Sequence, residues 1–468
     1  MKLNDMYPEL NEIIRFRNIK DNSKQVKRND IFVAVNNKNG DGSKYISEAI
    51  QRGACFIITE RNLNNFPSIT VKDSNNELNK LLKKYYPGYK DLSLCAITGT
   101  DGKTTTSSII HFVMSKLASS IQIGSNGVYI NKTHVKIKNT TPSNTNLFQA
   151  LDYAKKRQIK YGVLEISSEG MLDGRGTLFN YDSVIFTNIT REHLNTHKNM
   201  YNYIKCKASL LNYVKDDGLV IINNDMKFKE YIKRKAKDKH IVTYGIKGGD
   251  VMAKNIQLHL NYTLFDIYYF NHFICQIKTN LVGEFNVYNI LAAFTYLYEI
   301  GFKAKDIKNE LNDYLYVSGR FELHNINNLN YLIDYGHTPN AIYETLKFIN
   351  KLNFDNIITI LGAQGEKDRG KRKFMGKYAS NMSNTLILTS EDPKYECIFS
   401  IFSDLMTYIK KDYYLTLSRF DAIKKASELA TSKDLIVIFG KGNEEYEEIM
   451  GYKFKRNDLE MIKALGNS

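Results

Sequence analysis

The chain has 468 residues, of which 43% are hydrophobic, and a net charge of +15 from 65 basic and 50 acidic side chains. This length predicts about three domains, and the apolar fraction is sufficient for sizeable cores. The five cysteines are far apart and form no CxxC pair, which argues against a thiolate zinc site and a disulfide framework. No signal peptide and no run of about 18 apolar residues is present, so we expect a cytoplasmic protein.

Residues 1–90 form the first predicted domain. Asp30–Val35 and Ala54–Thr59 are apolar runs of strand length, and Tyr45–Arg52 between them has helical periodicity. A proline–glycine turn at Tyr86–Tyr89 marks the end of this domain.

Residues 91–315 form the second predicted domain, in which short apolar strands alternate with helices. A glycine turn joins the predicted strand Leu92–Thr98 to the predicted helix Thr104–Leu117. Further predicted strands are Gly162–Ile166, Ser183–Thr187 and Gly218–Ile222. This alternation favours a parallel α/β sheet. Aromatic-rich alternation over residues 250–280 predicts a small antiparallel insertion.

Residues 316–468 repeat the α/β pattern and form the third predicted domain. Its predicted strands, separated by helical stretches, are Tyr331–Asp334, Ile357–Leu361, Thr385–Leu388 and Leu435–Phe439. We therefore expect a second parallel sheet covered by helices.

The strongest local signal is the turn Thr98-Gly-Thr-Asp-Gly-Lys-Thr-Thr105. It follows a buried strand and opens a helix, which is the setting of a phosphate-binding loop. Lys103 is predicted to reach the β- and γ-phosphates, and the Thr104 hydroxyl to bind Mg²⁺. The spacing departs from G-x-x-x-x-G-K-[ST], because Ile97 stands where the first glycine would be. An ordinary glycine turn is the alternative.

This turn is the first of a series of motifs that resemble the Mur ligase family, in the order of that family. The later motifs are Asn139-Thr-Thr-Pro142, Glu165-Ile-Ser-Ser168, Thr187-Asn-Ile-Thr-Arg-Glu-His-Leu194, Gly283-Glu-Phe-Asn-Val-Tyr-Asn289, Ser318-Gly-Arg320, Asp334-Tyr-Gly-His-Thr-Pro339 and Gly440-Lys-Gly442. Near the N-terminus, Asp21–Lys24, Asp30–Val33 and Gly40–Gly42 resemble the uridine-binding domain of the ligases that add the third amino acid to the peptidoglycan stem peptide. The resemblance spans nearly the whole chain.

The resemblance implies an α/β protein of three domains. Residues 1–90 would bind the UDP-sugar, residues 91–315 would form a central P-loop parallel-sheet ATPase domain, and residues 316–468 would form a Rossmann-like α/β domain that binds the amino acid. The implied activity is that of an ADP-forming ligase in peptidoglycan synthesis, which serves cell-wall biogenesis, cell shape and cell division. It would join the carboxylate of UDP-MurNAc-L-Ala-D-Glu to an incoming diamino acid through an acyl phosphate.

The same resemblance implies which partners the chain has. ATP and Mg²⁺ are the expected cofactors, together with a carbamylated lysine. The expected substrates are a nucleotide-sugar peptide and an amino acid, with no nucleic acid and no membrane. We expect the chain to act as a monomer.

The resemblance also implies roles for individual residues. The implied catalytic and metal-binding residues are Lys103, Thr104, Glu165, His193 and Lys207. Lys207 lies fourteen residues after His193, the spacing of a family lysine that is modified to a carbamate. A carbamate supplies the anionic oxygen that Mg²⁺ prefers. A surface lysine, a structural histidine and the neighbouring Lys205 are the alternatives.

Two further sets of residues would bind the nucleotides. For ATP they are Gly99, Thr100, Asp101, Gly102, Lys103, Thr104, Thr105, Asn289 at the adenine, and Arg320 and Asp334 at phosphate and ribose. For the UDP-sugar they are Ser23, Asn139, Thr140, Thr141, Ser167 and Arg175. Arg175 suits the diphosphate because a guanidinium binds anions bidentately.

The predicted amino-acid pocket consists of Lys367, Asp392, Lys394, Gly440 and Glu444. Lys367 and Lys394 stand where ligases for meso-diaminopimelate typically have arginine, and lysine is not equivalent to arginine at a bidentate site. The pocket thus leaves meso-diaminopimelate, lysine and other amino acids open. We predict a diamino acid, because a monoamino acid would leave Asp392 and Glu444 without a cation.

Three positions depart from the family pattern. Glu169 and Asn443 stand where histidine is usual, and Glu192 where aspartate is usual. These departures leave room for a divergent family member with another acceptor. Three further hypotheses are an amide ligase similar to folylpolyglutamate synthetase, a non-catalytic nucleotide-binding module, and a nucleic-acid binder motivated by the charge alone. A solvated basic surface explains the same charge.

Overall fold

The computed structural model describes residues 1–37, 40–131, 133–137 and 139–465. The described chain forms two compact units. The first unit comprises residues 1–94, 118–166 and 170–181, and the second comprises residues 95–117, 167–169 and 182–468. Residues 466–468 of the predicted third domain lie outside the described residues. The domain boundaries near residues 90 and 316 stay predictions.

The first unit contains a four-stranded parallel sheet near the N-terminus. The strand order is Ile19–Lys20, Asp30–Val33, Ala54–Thr59 and Ser68–Thr70. Helix Ile46–Gln51 precedes the third of these strands, as the periodicity predicted. Helix Ser74–Tyr85 begins where the Asp73 side chain accepts a hydrogen bond from the Asn76 backbone. Such a cap satisfies one of the free N–H groups of the first turn.

The first unit also contains a second group of strands. Their order is Thr133–Val135, Gly127–Ile130, Ser120–Gly124 and Tyr161–Glu165, of which the last two are parallel. A short hairpin pairs Asn36–Asn37 with Gly40–Asp41. A third α-helix of this unit is Asn144–Lys156. The unit also has short 3₁₀ helices at Leu3–Asp5, Ser23–Gln25, Gly42–Tyr45 and Pro87–Asp91.

The larger sheet of the second unit begins at the strand that precedes the predicted phosphate loop. From that strand the order is Ser93–Thr98, Tyr181–Phe186, Val214–Asn223, His240–Gly245, Val251–Leu258, Thr263–Tyr269 and His272–Thr279. Ser93–Thr98 and Tyr181–Phe186 pair in parallel, whereas the last three strands pair antiparallel. The predicted antiparallel insertion over residues 250–280 is thereby confirmed.

Helices follow these strands along the chain. Their bounds are Lys103–Leu117, Leu194–His197, Met200–Ala208, Ser209–Tyr213 (3₁₀), Lys229–Lys235, Glu284–Glu299 and Ala304–Asp313. The short helix Ser168–Leu172 follows the strand Tyr161–Glu165, and its residues are divided between the two units. Glu284–Glu299 is apolar on nearly every side and is buried along most of its length. A helix that is hydrophobic all round belongs in the interior, so it helps to fix the sheet beneath the phosphate loop.

The second sheet of this unit has six strands. Their order is Glu322–Ile326, Leu329–Asp334, Leu435–Phe439, Ile357–Leu361, Thr385–Leu388 and Tyr414–Leu415. Only the first pairing is antiparallel. A hairpin of Tyr446–Ile449 and Tyr452–Lys455 follows the strand Leu435–Phe439 along the chain.

Both faces of the six-stranded sheet are buried under helices. Alternate residues of Leu435–Phe439 belong to two separate cores: Val437 faces one and Ile436 the other. The first core includes side chains of helices Pro339–Ile349, Arg369–Met382 and Ile398–Met406, and the second those of Arg419–Leu429 and Asp458–Leu465. The result is a doubly wound α/β layer, whose ligand crevice is expected at the carboxyl ends of the strands.

Within the described ranges, no helix has the length and apolarity needed to cross a membrane. All five cysteines fall in these ranges, and each is a free thiol.

Candidate active site

The predicted phosphate loop lies between the end of strand Ser93–Thr98 and the start of helix Lys103–Leu117. Gly102 has a φ of +83°, in the left-handed region, and a β-carbon there would lie 2.4 Å from Asn289 Oδ1. Glycine is therefore required at this position both by conformation and by space. This close approach sets the loop directly against helix Glu284–Glu299.

The segment Thr187–Thr190 braces the loop from the neighbouring strand. The Thr100 backbone N–H donates to the Asn188 carbonyl at 2.9 Å, and Asp101 N–H donates to Asn188 Oδ1 at 2.9 Å. The Thr187 hydroxyl donates to the Asp101 carbonyl at 2.6 Å. The loop backbone is thus held in place before any phosphate binds, which is the preorganisation that phosphate binding requires.

Two lysine side chains converge on the carbonyl of Gly99. Lys103 Nζ lies 2.9 Å and Lys207 Nζ 2.7 Å from this oxygen. Lys207 is 1% exposed, whereas Lys205 is exposed. Burial lowers the pKa of Lys207 well below its ordinary value, and the nearby Lys103 lowers it further. The structure thus places Lys207, and not Lys205, at the predicted phosphate site.

His193 sits in a second polar cluster of the same unit. Its Nδ1 lies 3.3 Å from Glu169 Oε1, and Lys367 Nζ lies 3.6 Å from the same oxygen. Contact with His193, and then with Lys367, lowers the pKa of Glu169 to about 2, although burial opposes this shift. Glu169, which departs from the family pattern, is therefore ionised beside the predicted metal ligand His193.

Asp101 connects the phosphate loop with the segment that follows strand Leu329–Asp334. Its carboxylate accepts a hydrogen bond from the Thr338 hydroxyl at 3.1 Å and one from Asn340 Nδ2 at 3.4 Å. Burial raises the pKa of Asp101, and Lys103 counteracts this shift. The predicted central and C-terminal parts of the chain therefore meet at the loop.

The two predicted ATP contacts after residue 316 also lie at the end of this strand. Asp334 is buried and accepts hydrogen bonds from the Thr345 hydroxyl at 3.0 Å and the Gly336 backbone at 3.1 Å. The Arg320 guanidinium stacks 3.8 Å from the centre of the Tyr335 ring. Burial raises the pKa of Asp334, and Arg320 counteracts this shift.

Lys441 organises the predicted amino-acid pocket, and its role was missed in the sequence. Its Nζ lies 2.8 Å from both oxygens of Asp392 and 2.7 Å from Glu444 Oε2. Burial alone would lower the pKa of Lys441, but Glu444 and Asp392 together raise it, so the buried ammonium stays charged. The argument that a monoamino acid would leave these two carboxylates without a cation is wrong, because Lys441 already pairs with both.

Two of the remaining predicted pocket residues, Gly440 and Lys394, lie near the end of strand Leu435–Phe439 and the following hairpin, whereas Lys367 lies elsewhere. Gly440, with a φ of +108°, ends the strand Leu435–Phe439, and a β-carbon there would lie 2.0 Å from Glu391 Oε2. Lys394 is joined to the hairpin through its backbone, since its N–H donates to the Glu448 carbonyl at 3.0 Å. Lys367 instead lies 3.6 Å from Glu169, the residue that contacts His193.

Glu391 is the other residue that sequence reasoning missed. It is completely buried, and neither carboxylate oxygen has a hydrogen-bond partner among the described residues. Burial raises its pKa to about 7, although Arg419 opposes the shift. The signal in the sequence was weak, because Glu391 adjoins the assigned Asp392 but nothing in the pattern shows that its side chain points inward.

Most residues predicted to bind the UDP-sugar lie in the first unit. Arg175 Nη1 donates to the Thr141 carbonyl at 2.6 Å, and the Thr140 and Ser125 hydroxyls are 2.9 Å apart. Ser23 donates to Glu48 at 2.6 Å, and Asn139 is exposed. In this unit Glu165 is buried, and Ser125 Oγ lies 3.3 Å from its Oε2. Ser167 belongs to the second unit.

The donor chemistry of the predicted metal ligands fits a magnesium ion. The described residues contain no group of three or more His, Cys, Asp or Glu side chains placed to hold a metal. The predicted set relies instead on the Thr104 hydroxyl, one carboxylate, one imidazole and a carbamate. In the predicted set, the Nδ1 contact of His193 with Glu169 would leave Nε2 for the metal. The lowered pKa of buried Lys207 would favour the neutral amine that carbamylation needs.

The phosphate loop is braced by its neighbours, two lysines converge on it, and Thr338 and Asn340 at the start of helix Pro339–Ile349 donate to its Asp101. These features define an enzyme of the P-loop class that transfers phosphate. Comparisons with known proteins narrow this class. The family profile for the Mur ligase middle domain matches residues 97–297, and that for the Mur ligase glutamate ligase domain matches residues 319–442.

Individual proteins similar to this chain are ligases of the same family. The chain is 34% identical to the UDP-N-acetylmuramoyl-L-alanyl-D-glutamate–2,6-diaminopimelate ligase of Aquifex aeolicus, over 98% of this chain and 96% of that protein. A solved structure of a ligase with the same name has 25% identity and a TM-score of 0.66, and the match covers 100% of this chain and 99% of that one. The MurF ligase of Thermotoga maritima in complex with ADP shares the fold, with a TM-score of 0.71, 19% identity and coverage of 90% and 93%.

The chain belongs to the Mur ligase family. It is an ATP-dependent amide ligase with the three-domain architecture of that family, as the motifs predicted. The prediction of a central P-loop domain followed by a Rossmann-like α/β domain is confirmed.

Proposed function

We propose that this ligase joins the carboxylate of UDP-MurNAc-L-Ala-D-Glu to 2,6-diaminopimelate in peptidoglycan precursor synthesis. The observation that carries the proposal is the match, over nearly the full length of both chains, to ligases named for this reaction. The braced loop with Lys103 and Lys207 supports it, because the reaction begins with phosphoryl transfer.

The reaction proceeds in two steps. A carboxylate oxygen of the acceptor attacks the γ-phosphorus of ATP, the bond to the bridging oxygen breaks, and ADP leaves from the acyl phosphate. The neutral amine of the amino acid then attacks the acyl carbon, inorganic phosphate departs with the C–O electron pair, and the amine loses a proton. Lys103 counters the negative charge on the transferring phosphoryl group.

We propose that Asn289, Arg320 and Asp334 contact ATP together with the loop residues Gly99–Thr105. The Asp101 contacts with Thr338 and Asn340 support this assignment, because they bring the segment after Asp334 to the loop. We propose further that Ser23, Asn139, Thr140, Thr141, Ser167 and Arg175 hold the UDP-sugar.

Mg²⁺ would be held by Thr104, Glu165, His193 and the carbamate of Lys207, and it supplies charge neutralisation to the phosphates when bound. Carbamylation requires that the uncharged Nζ of Lys207 attack CO₂ and release one proton. The burial of Lys207 beside Lys103 favours this uncharged form. The carbamate anion would in turn be stabilised by the Lys103 ammonium.

The amino acid would bind at the loop that carries Asp392 and Lys394, beside Gly440 and Glu444, with Lys367 further along the site. Asp392 and Lys394 have φ values of 42° and 52°, a strained conformation for residues other than glycine, and such strain is common where a loop grips a ligand. Since Lys441 balances Asp392 and Glu444, Lys394 is the cation available for a distal carboxylate. This favours diaminopimelate over lysine, whose distal ammonium Lys394 would repel.

The test is phosphate release with ATP, UDP-MurNAc-L-Ala-D-Glu and a panel of amino acids: meso-diaminopimelate, lysine, ornithine and alanine. We expect kcat/KM to be highest for meso-diaminopimelate, and Lys394→Ala to reduce this value selectively. Preference for lysine would overturn the amino-acid assignment alone. Absence of phosphate release with every amino acid would overturn the proposed reaction. Light scattering of the same preparation tests the proposal that the enzyme is a monomer.

A further inference from the structure

We infer that Glu169 is a positioning residue: its carboxylate fixes the imidazole of His193 through Nδ1 and links it to the loop of residues 365–368 through Lys367. The role of His193 as a metal ligand rests on the proposed function. The contact that orients the imidazole does not, because it lies within the protein.

The geometry defines a three-residue cluster on one carboxylate oxygen. Glu169 Oε1 lies 3.3 Å from His193 Nδ1 and 3.6 Å from Lys367 Nζ. The three side chains are between 25% and 34% exposed, so the cluster is open to solvent on one side. A ligand can therefore approach the imidazole while its Nδ1 stays in contact with Glu169.

His193 needs such support because its backbone gives little help. It has a left-handed φ of 55° and stands immediately before the four-residue helix Leu194–His197. The hydrogen bonds that its carbonyl accepts from Thr196 and His197 fix the main chain and leave the imidazole free to rotate. The Tyr203 ring, with its centre 6.4 Å from that of His193, is too distant to lock the imidazole.

The contact with Glu169 selects one tautomer of His193. When Nδ1–H donates to the carboxylate, the lone pair of the neutral imidazole resides on Nε2. Metal-binding histidines commonly have such a partner on the second nitrogen, and removing it weakens metal binding. Glu169 stands where the family usually has histidine, and a histidine there could not supply the same negative charge.

The cluster also ties the histidine to the loop that precedes helix Arg369–Met382. Besides Lys367, Asp368 Oδ2 accepts a hydrogen bond from the Leu194 backbone at 3.3 Å. On the other side of the same loop, Gly365 N–H donates to the Asp392 carbonyl at 2.9 Å. Residues 365–368 therefore connect the loop of Asp392 and Lys394 with the segment that carries His193.

The first test is the tautomer of His193 in the full-length protein. Histidine labelled with ¹⁵N is observed by NMR at a pH where the imidazole is neutral, and His193→Gln identifies the signal among the nine histidines. We expect the Nδ1–H form in the native protein and in Glu169→Gln, whose amide oxygen still accepts. We expect a mixture of forms in Glu169→Ala. An unchanged tautomer in Glu169→Ala would overturn the inference.

The second test is the affinity for Mn²⁺ in the presence of AMP-PNP and bicarbonate, followed by electron paramagnetic resonance. We expect Glu169→Ala to weaken binding by about tenfold, and Glu169→Gln to weaken it less. Glu230→Ala, which removes the carboxylate of the exposed pair with Lys233, is the matched control and should leave the affinity unchanged. Equal affinity of native protein and Glu169→Ala would overturn the inference.

Neither readout uses catalytic turnover. If the tautomer responds to Glu169 while no amino acid supports phosphate release, the inference stands and the proposed function fails. If ligation proceeds normally in Glu169→Ala with an unchanged tautomer, the inference fails and the proposed function stands. Thermal unfolding of each variant verifies that the comparison is made between folded proteins.

Discussion

At the scale of single residues, the site depends on buried ionisable groups whose surroundings change their chemistry. Lys207 and Lys205 are two residues apart and chemically identical, but only Lys207 is buried against the Gly99 carbonyl. Removal from water lowers the pKa of the ammonium, which would favour the neutral amine that the proposed carbamylation needs. Helix Met200–Ala208 directs the two side chains to different sides, so that Lys207 is buried and Lys205 is exposed.

We expect Lys207→Ala to abolish ligation and Lys205→Ala to leave it nearly normal. Because the missing group is a carboxylate-like anion, a short acid such as acetate should restore part of the activity of Lys207→Ala. Turnover by phosphate release and ¹³C NMR after incubation with ¹³CO₂ are the measurements. Full activity of Lys207→Ala, or no carbamate signal in active native protein, would contradict the carbamate assignment.

Because the carboxyl group of Glu391 is buried, we expect the free energy of unfolding to depend on pH. Its pKa is raised to about 7 by burial, so between its ordinary value near 4.5 and 7 the folded protein keeps a proton that the unfolded chain has lost. The free energy of unfolding therefore falls as pH rises through this window and stays reduced above it. The contribution is on the order of 3 kcal/mol at most.

We expect Glu391→Gln to unfold at a higher temperature than native protein at pH 8, with a smaller difference at pH 5. Scanning calorimetry at both values is the measurement. Glu428→Gln, on the exposed side of helix Arg419–Leu429, is the control and should show the same small effect at both pH values. A difference for Glu391→Gln that does not change with pH would refute the buried-carboxyl explanation.

At the scale of elements, the phosphate loop is a junction of one strand, one turn and one helix, braced from two sides. Thr187–Thr190 hold its backbone, and Asn289 fills the space that a side chain at Gly102 would need. The turn itself was evident in the sequence. The bracing was not, because it comes from chain segments about 90 and 190 residues away.

We expect Gly102→Ala to abolish nucleotide binding. The substitution adds the strain of a left-handed backbone, about 1–2 kcal/mol, and drives a β-carbon to 2.4 Å from Asn289 Oδ1. Gly301→Ala is the matched control, because Gly301 has a φ of +97° but no atom within 4 Å of its β-carbon position. Calorimetric titration with ATP should therefore show binding to Gly301→Ala only; normal binding by Gly102→Ala would show that the loop does not need this geometry.

At the scale of the second unit, a buried ion pair joins segments that are distant in sequence. Lys371 Nζ lies 2.8 Å from Glu192 Oε1, and both side chains are 5% exposed. Glu192 replaces the usual aspartate, and its longer side chain reaches the helix Arg369–Met382. Because Glu192 adjoins His193, the pair helps to hold the segment that carries His193 against helix Arg369–Met382.

We expect Lys371→Met to destabilise the protein by about 3–5 kcal/mol, because it leaves a buried carboxylate without a cation. The double substitution with Glu192→Gln should recover part of this loss, since it removes the uncompensated charge. Lys377→Met, on the exposed side of the same helix, is the control. Thermal unfolding of the native protein, the two single variants and the double variant measures the coupling, and additive effects of the two substitutions would show that the pair contributes nothing.

Much of the architecture could be predicted from sequence because its information is local. The apolar runs at Ile357–Leu361, Thr385–Leu388 and Leu435–Phe439 are strands with these bounds, since a short buried run between helices has few other conformations. The order of these strands in the sheet was not predictable. Leu435–Phe439 lies between Leu329–Asp334 and Ile357–Leu361, an arrangement set by long-range pairing.

The sequence by itself determined the alternation of strands and helices, the phosphate loop and, through ordered motifs, the family. Each of these is encoded in a few consecutive residues. Only the tertiary structure decided that Lys441 neutralises Asp392 and Glu444, that Glu391 is buried without a hydrogen-bond partner among the described residues, and that Lys367 meets Glu169 rather than the other pocket residues. Charge pairing and burial depend on which segments fold together. Residues that are distant in sequence share no local pattern from which their contact could be predicted.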